Sequence, residues 1–320
     1  MVFRSAGTAA IDLTGNELAN TIYGNDGANI LDGGGGADAL VGRLGDDFYM
    51  IDNVADVVVE NAGEGNDRVF ASVSYTLAAG VSVELFTTDF AAGTSAINLT
   101  GNELANYLIG NAGANILDGG AGADVMDGRG GNDIYYVDNA GDVILEAVGG
   151  GNDNVFASVS YTLAAGQEVE FLAASNFSAT TALNLTGNEF ANTIYGNDGA
   201  NILDGKDGND LLVGQGGADT FAFTTALGAN NVDVIFGFEH GVDKIGLDDA
   251  IFTTVGGLGA LNANAFFAGS AAHDADDRII YNNLTGALYY DADGNGAGAA
   301  IQFATLSPGL TLTASDFQVI

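Results

Sequence analysis

Asp124 and Asp133 stand nine residues apart, and each closes a glycine-rich hexapeptide within the stretch GGAGADVMDGRGGNDIYYVDN. Gly119, Gly120 and Gly122 precede the first; Gly128, Gly130 and Gly131 precede the second. Met126 and Tyr135 each follow their aspartate by two. The pattern is G-x-x-G-x-D-x-U-x, with U apolar, written twice. Glycine tolerates positive φ, so such a turn can direct carbonyl oxygens and a carboxylate toward one point. That donor set suits calcium, which takes about 6–8 oxygens at ~2.3–2.6 Å in flexible geometry. Magnesium demands a tighter octahedron, and zinc demands His or Cys, which these turns lack.

The unit does not stand alone. Nonapeptides of this kind build calcium-binding β-helices. Four contiguous units, GNELANTIY, GNDGANILD, GGGGADALV and GRLGDDFYM, fill residues 15–50; blocks of the same length fill 101–136 and 187–222. The segments beginning at Ile11, Ile97 and Leu183 repeat at a spacing of 86, and DRVFASVSYTLAAG from Asp67 answers DNVFASVSYTLAAG from Asp153. A fixed long period means stacked units of one array rather than beads on linkers. The eighth positions are Ile22, Leu31, Leu40, Tyr49; Leu108, Leu117, Met126, Tyr135; and Ile194, Leu203, Leu212, Phe221. All are apolar or aromatic. A period of nine suits neither a helix nor a hairpin meander. It suits a turn of six and a strand of three, two of which close one coil of a flattened solenoid.

Stacking such coils brings position six of one unit against position six two units on, because sheet rungs lie about 4.7–4.9 Å apart. The expected pairs are Asn20 with Asp38, Asn29 with Asp47, Asn106 with Asp124, Asn115 with Asp133, Asn192 with Asp210, and Asn201 with Asp219. The glycines that open these turns supply backbone carbonyls: Gly24, Gly33 and Gly42; Gly110, Gly119 and Gly128; Gly196, Gly205 and Gly214. Asp32, Asp46 and Asp118 add charge to the same edges. Two like charges ~5 Å apart repel by roughly 3 kcal/mol at an effective dielectric near 20. Many such contacts would overwhelm a stability of about 5–15 kcal/mol. The expectation is Ca2+ between coils, about one ion for each stacked Asn–Asp pair.

Composition agrees. The 320 residues are 47% hydrophobic, enough for a core, yet carry 42 acids against 7 Lys+Arg, a formal charge of −35. That sign excludes nucleic acid as a partner. The absence of cysteine removes disulfides, thiolate metal sites and cysteine nucleophiles. No apolar run approaches the ~18 residues of a membrane span, and the opening MVFRSAGTAAIDLTG lacks the apolar core of a secretory signal. Nor is there a catalytic constellation. His240 and His273 are the sole histidines, no H-E-x-x-H or G-x-S-x-G occurs, and the glycine runs lack the helix a dinucleotide fingerprint needs. His240 reads as an exposed turn residue. DADGNG from Asp291 has Gln302 where an EF-hand loop has glutamate, so a turn between two strands is expected there. The reading is therefore of a protein that is not an enzyme.

These features resemble the RTX (repeats-in-toxin) proteins. The match is fullest at GGGGADALV (Gly33), GGAGADVMD (Gly119) and GKDGNDLLV (Gly205); the leading units depart from it, with Leu or Phe at position four and Asn at six. The inter-block segments, residues 51–100 and 137–186, resemble RTX spacers. The resemblance implies an all-β, right-handed parallel β-roll over residues 1–222, with residues 223–320 capping it. The ending LTASDFQVI resembles an uncleaved C-terminal export signal, which implies type I secretion to the extracellular space or cell surface.

Two functional expectations follow. AGTAAIDLTGN from Ala6 aligns with AGTSAINLTGN from Ala92, so the chain begins partway through a repeat without an evident cap. An open coil end can dock on a second copy, giving a head-to-tail filament or surface layer. The initiating Met favours this self-sufficient structural role. The alternative is a calcium-binding export module at the end of a larger secreted enzyme or adhesin. Either way, scarce calcium leaves the acids repelling one another and the chain unfolded. At millimolar calcium, sites with Kd near 10⁻⁴–10⁻³ M fill and the roll forms.

Overall fold

A computed structural model describes residues 2–4 and 7–320. The start of the N-terminal match, at Ala6, lies outside the described residues. The chain forms two compact units, Met1–Phe156 and Ala157–Ile320. Each is an all-β solenoid of stacked parallel coils.

In the first unit the strands Thr21–Tyr23, Asn29–Asp32, Ala39–Val41 and Phe48–Ile51 sit at the ends of successive nonapeptides. Ile22 pairs in parallel register with Leu40, and Leu31 with Tyr49. The second block repeats this, with Leu108 against Met126 and Leu117 against Tyr135. Eighteen residues thus make one coil. A three-residue strand turns one side chain inward and two outward. The inward one is the eighth position, and Ile22, Leu31, Leu40, Tyr49, Leu108, Leu117, Met126 and Tyr135 are all 0% exposed. Each such Leu or Ile contributes about 1.5–3 kcal/mol of apolar burial, which offsets the ordering of glycine-rich turns.

The spacers continue the same wall. Val57–Val59 pairs parallel with Ala39–Val41, and Arg68–Ala71 with Phe48–Ile51. Leu85–Thr88 then pairs with Arg68–Ala71 on one side and Tyr107–Ile109 on the other. Outside the core, Phe48 and Phe70 stack at 5.7 Å, with the Arg68 guanidinium 5.3 Å from the Phe48 ring centre.

In the second unit, Ile194 pairs with Leu212 and Leu203 with Phe221. The parallel pattern then gives way to a β cap. Asp233–Phe236 pairs parallel with Leu211–Val213 and with Ile301–Thr305. Ile301–Thr305 runs antiparallel to Ala287–Tyr290, and that strand antiparallel to Ile279–Asn282. The DADGNG segment joins two of these antiparallel strands, as a turn rather than a helix-flanked loop. On the other face Lys244–Leu247 pairs parallel with Phe317–Val319, which pairs antiparallel with Gly259–Ala260. Phe252 and Phe303, both 0% exposed, pack edge to face at 5.1 Å beneath the cap.

The chain end is built into this cap. Asp316 and Phe317 are 0% and 1% exposed. Asp316 accepts hydrogen bonds from the Thr313 and Gly241 N–H groups at 2.7 and 2.9 Å. His240 does lie in an exposed turn, but its Nδ1 is 2.9 Å from Asp316, so it also holds the terminal segment.

Candidate metal centre

All six expected pairs meet, through one type of hydrogen bond. The backbone N–H of the asparagine donates to Oδ1 of the aspartate one coil on. The distances are 2.6 Å for Asn20–Asp38 and Asn29–Asp47. They are 2.7 Å for Asn106–Asp124, Asn115–Asp133 and Asn192–Asp210, and 2.8 Å for Asn201–Asp219. The twelve side chains are buried. Charge does not simply face charge at these contacts, as position-six stacking implied. Each carboxylate is partly neutralised by a peptide dipole.

The two halves of each pair differ in what remains. Asparagine Oδ1 closes its own turn by accepting the N–H of position two, as from Asn25 to Asn29 at 2.7 Å and Asn111 to Asn115 at 2.8 Å. The amide Nδ2 is also engaged at most of these turns: Asn115 donates to Ile97 O and Asn192 to Val169 O. Five of the six aspartates have a second oxygen to spare. Oδ2 of Asp38, Asp47, Asp124, Asp133 and Asp210 is buried and receives no hydrogen bond from any described residue.

The stack continues upward from aspartate to aspartate. The Asp38 N–H donates to Asp56 Oδ1, Asp47 to Asp67, Asp124 to Asp142 and Asp133 to Asp153, at 2.7–3.0 Å. In the second unit Asp210 donates to Asp233 and Asp219 to Asp243, at 3.1 and 3.0 Å. None of these upper aspartates lies in a recognised nonapeptide. Their signal was present but diluted. IDNVADVVV and VDNAGDVIL keep Asp at six and an apolar residue at eight while losing nearly all glycine. The second member of each spacer arrives after 20 residues rather than 18.

The glycines at position one leave these carboxylates their space. A Cβ added to Gly33, Gly119, Gly205 or Gly214 would collide with the carboxylate of the aspartate five residues on. At Gly42 and Gly128 it would also strike the hydroxyl of Tyr49 or Tyr135. Added to Gly24, Gly110 or Gly196 it would strike the Oδ1 of the corresponding asparagine and meet the Gly42, Gly128 or Gly214 carbonyl oxygen at 2.6–2.9 Å. Position-one glycine is therefore required for space. Positive φ, expected of these glycines, falls instead at position two (Gly34, Gly120, and also Arg43, Arg129, Lys206 and Gln215) and at position four (Gly36, Gly45, Gly131, Gly208, Gly217).

Burial and crowding alter the acids. Desolvation, opposed by the Asn29 N–H and reinforced by Asp67, pushes Asp47 up to about 7. Burial with the Asp153 charge nearby pushes Asp133 to about 7, against the pull of the Asn115 N–H. The same cause takes Asp124 and Asp219 to about 6. Asp210 and Asp233 are both raised, by burial first. Asp32 and Asp118 each cap the turn that follows, accepting from the Gly34 and Gly120 N–H groups at 2.9 and 3.1 Å. Asp46 is exposed and accepts from the Asn66 N–H. In the C-terminal cap, His273, Asp274 and Asp277 also gather, but Asp277 there closes a local turn on the His273 and Asp274 N–H groups.

Buried carboxylate oxygens without donors are costly unless a cation meets them. A hard divalent ion fits this all-oxygen set. No curated protein matches the chain. The family model for the RTX calcium-binding nonapeptide repeat (4 copies) matches residues 14–49, 100–135 and 186–221, the three blocks whose turns carry these aspartates. The chain thus carries three blocks of RTX calcium-binding repeats, wound into the stacked parallel coils of a β-roll.

Proposed function

We propose that this is a secreted structural protein whose β-roll folds on meeting extracellular calcium. The buried, donor-less Oδ2 atoms of Asp38, Asp47, Asp124, Asp133 and Asp210 carry this reading. When bound, calcium supplies the positive charge that these oxygens lack, and one ion per stacked pair is the proposed occupancy. The chain's own part is to hold each carboxylate by a backbone N–H, to exclude water, and to leave position one without a side chain.

Calcium-linked folding matches a simple linkage argument. Each site contributes RT ln(1 + [L]/Kd), so several weak sites sum to several kcal/mol near millimolar calcium. Where calcium is scarce the acids oppose the fold and the chain stays open for export. The RTX repeats support export, as does the likeness of the closing segment to a type I signal. Among the described residues no helix is long and apolar enough to cross a membrane. Circular dichroism through a calcium titration tests the reading. Strand signal should rise with calcium; a full signal in excess EGTA would defeat it.

Self-assembly is the second element of the proposal. Ile11–Thr14 is an edge strand, hydrogen-bonded on one side to Asn29–Asp32. Its outer backbone groups could accept another copy's coil. Electron microscopy in millimolar calcium and in chelator decides: filaments or sheets are expected with calcium, and single particles in both would count against assembly.

A further inference from the structure

Two carboxylate groups stand apart among the described residues. Asp47, Glu60 and Asp67 offer ligand atoms within 4.8 Å of one another, as do Asp133, Glu146 and Asp153. In the first group the residues are 0%, 2% and 1% exposed, in the second 0%, 3% and 1%. Glu60 and Glu146 come from spacers and have no place in the nonapeptide pattern. We propose that each group is a three-carboxylate site for one calcium-like divalent cation, of higher charge and tighter binding than the turns built from aspartates alone. This deepens the calcium reading and rests on it.

The first group makes the case. Asp47 Oδ2, Glu60 Oε1 and Asp67 Oδ2 are buried and receive no hydrogen bond from any described residue. No described lysine, arginine or histidine forms an ion pair with any of the three. The remaining oxygens are already engaged. Asp47 Oδ1 takes the Asn29 N–H, Asp67 Oδ1 the Asp47 N–H, and Glu60 Oε2 the Tyr49 hydroxyl. Three buried carboxylates, each with a spare oxygen, therefore gather from different coil segments, and Gly42 keeps the place open, since a Cβ there would strike both Asp47 Oδ2 and the Tyr49 hydroxyl. Three buried negative charges demand positive charge in return. Oxygen donors alone select a hard ion, and affinity rises with the number of charged ligands.

The second group repeats the design at a spacing of 86. Tyr135 donates to Glu146 Oε2 at 2.5 Å and accepts the Gly128 N–H at 3.0 Å. Tyrosine and glutamate stand eleven residues apart in both copies. The third block lacks both parts: its eighth residue is Phe221, and beside Asp219 and Asp243 the nearby Glu239 is exposed. Tyrosine thus occurs where the glutamate does and fixes its Oε2 in both copies, while Glu146 Oε1 also takes the Ala147 N–H at 3.0 Å.

The test is calcium titration calorimetry on the full chain, wild type against the Glu60→Gln/Glu146→Gln double variant. Two sites should weaken by at least about tenfold while the others keep their affinity. Unchanged affinities in a folded variant would overturn the inference and leave the calcium reading standing. No calcium uptake by wild type would overturn both. Should the variant fail to fold in saturating calcium, terbium-soaked crystals of the wild type decide. Anomalous density among Asp47, Glu60 and Asp67 is expected, and density confined to other turns would overturn the proposal.

Discussion

The backbone N–H of Asn115 donates to Oδ1 of Asp133, eighteen residues later, at 2.7 Å. Both residues are buried, at 1% and 0% exposure. This one bond fixes the register of the coils and leaves the other carboxylate oxygen unused. The structural and the ion-binding roles of the aspartate are thereby divided between its two oxygens.

Replacing Asp133 tests that division. Asp133→Ala removes both roles and strands the Asn115 N–H, at about 1–3 kcal/mol. Asp133→Asn keeps an acceptor for that N–H and loses the charge. Both variants should need more calcium for half-maximal folding, by about three- to tenfold, with alanine the worse because it also lowers stability in saturating calcium. The same change at exposed Asp89 should shift the midpoint less. Equal midpoints for Asp89→Ala and Asp133→Ala would refute the assignment.

Two nearby glycines should respond in opposite ways. A Cβ at Gly128 strikes the Asp133 carboxylate and the Tyr135 hydroxyl, whereas one at Gly130 meets nothing closer than 3.5 Å. Neither has positive φ. Gly128→Ala should destabilise the calcium-loaded fold by about 1–3 kcal/mol, the usual cost of overpacking. Gly130→Ala should stay within about 0.5 kcal/mol of wild type. Urea titration in saturating calcium compares them.

Acidity should substitute in part for calcium. Asp47 and Asp133 sit at about 7, and Asp124 at about 6, chiefly because burial disfavours the charge. In the unfolded chain they would ionise near 3.9. A folded pKa above the unfolded one means the fold holds protons that the unfolded chain releases. Stability is therefore full below about pH 4 and is lost as pH rises through 6 to 7. In chelator, urea resistance should increase from pH 8 to pH 5. The calcium requirement should rise over the same span, as protons compete for the oxygens. A flat pH response in chelator would contradict this.

The C-terminal cap should run the other way. Burial alone would raise Asp316, but the Thr313 and Gly241 N–H groups and His240 together hold it below the usual range. Its stabilisation is present above about pH 4 and disappears as pH falls through its lowered folded value. Asp316→Asn should loosen the last strand, Phe317–Val319, at neutral pH and make hydrogen exchange there insensitive to acid. Amide protection at Phe317 and Val319, followed by NMR from pH 6 to pH 3, checks both statements.

Much of the roll was legible because its two determinants are strictly periodic. The residues from Ile22 to Phe221 at position eight point inward, and the six position-six pairs meet as spacing alone requires. What escaped lies where the period breaks. Asp56 and Asp142 keep the register with almost no glycine, because turns such as NVAD can close on an Asn side chain instead, as Asn53 does with the Ala55 N–H. Asp67 and Asp153 are displaced by insertion. Glu60 and Glu146 reach the same place from a spacer strand end, outside the nonapeptide register. The role of position-one glycine also depends on a three-dimensional contact. Sequence shows its small size but not which atom would be struck.

The inter-coil bonds to the stacked position-six carboxylates all point the same way along the chain, from an earlier N–H to a later side chain. A freshly formed coil consequently exposes bare donors until its successor arrives, so construction has an inherent polarity and no block can terminate itself. The apparent filler between blocks is then the keystone of each course: excise residues 51–100 and the aspartates at 38 and 47 would lose the very groups onto which their own amides fasten.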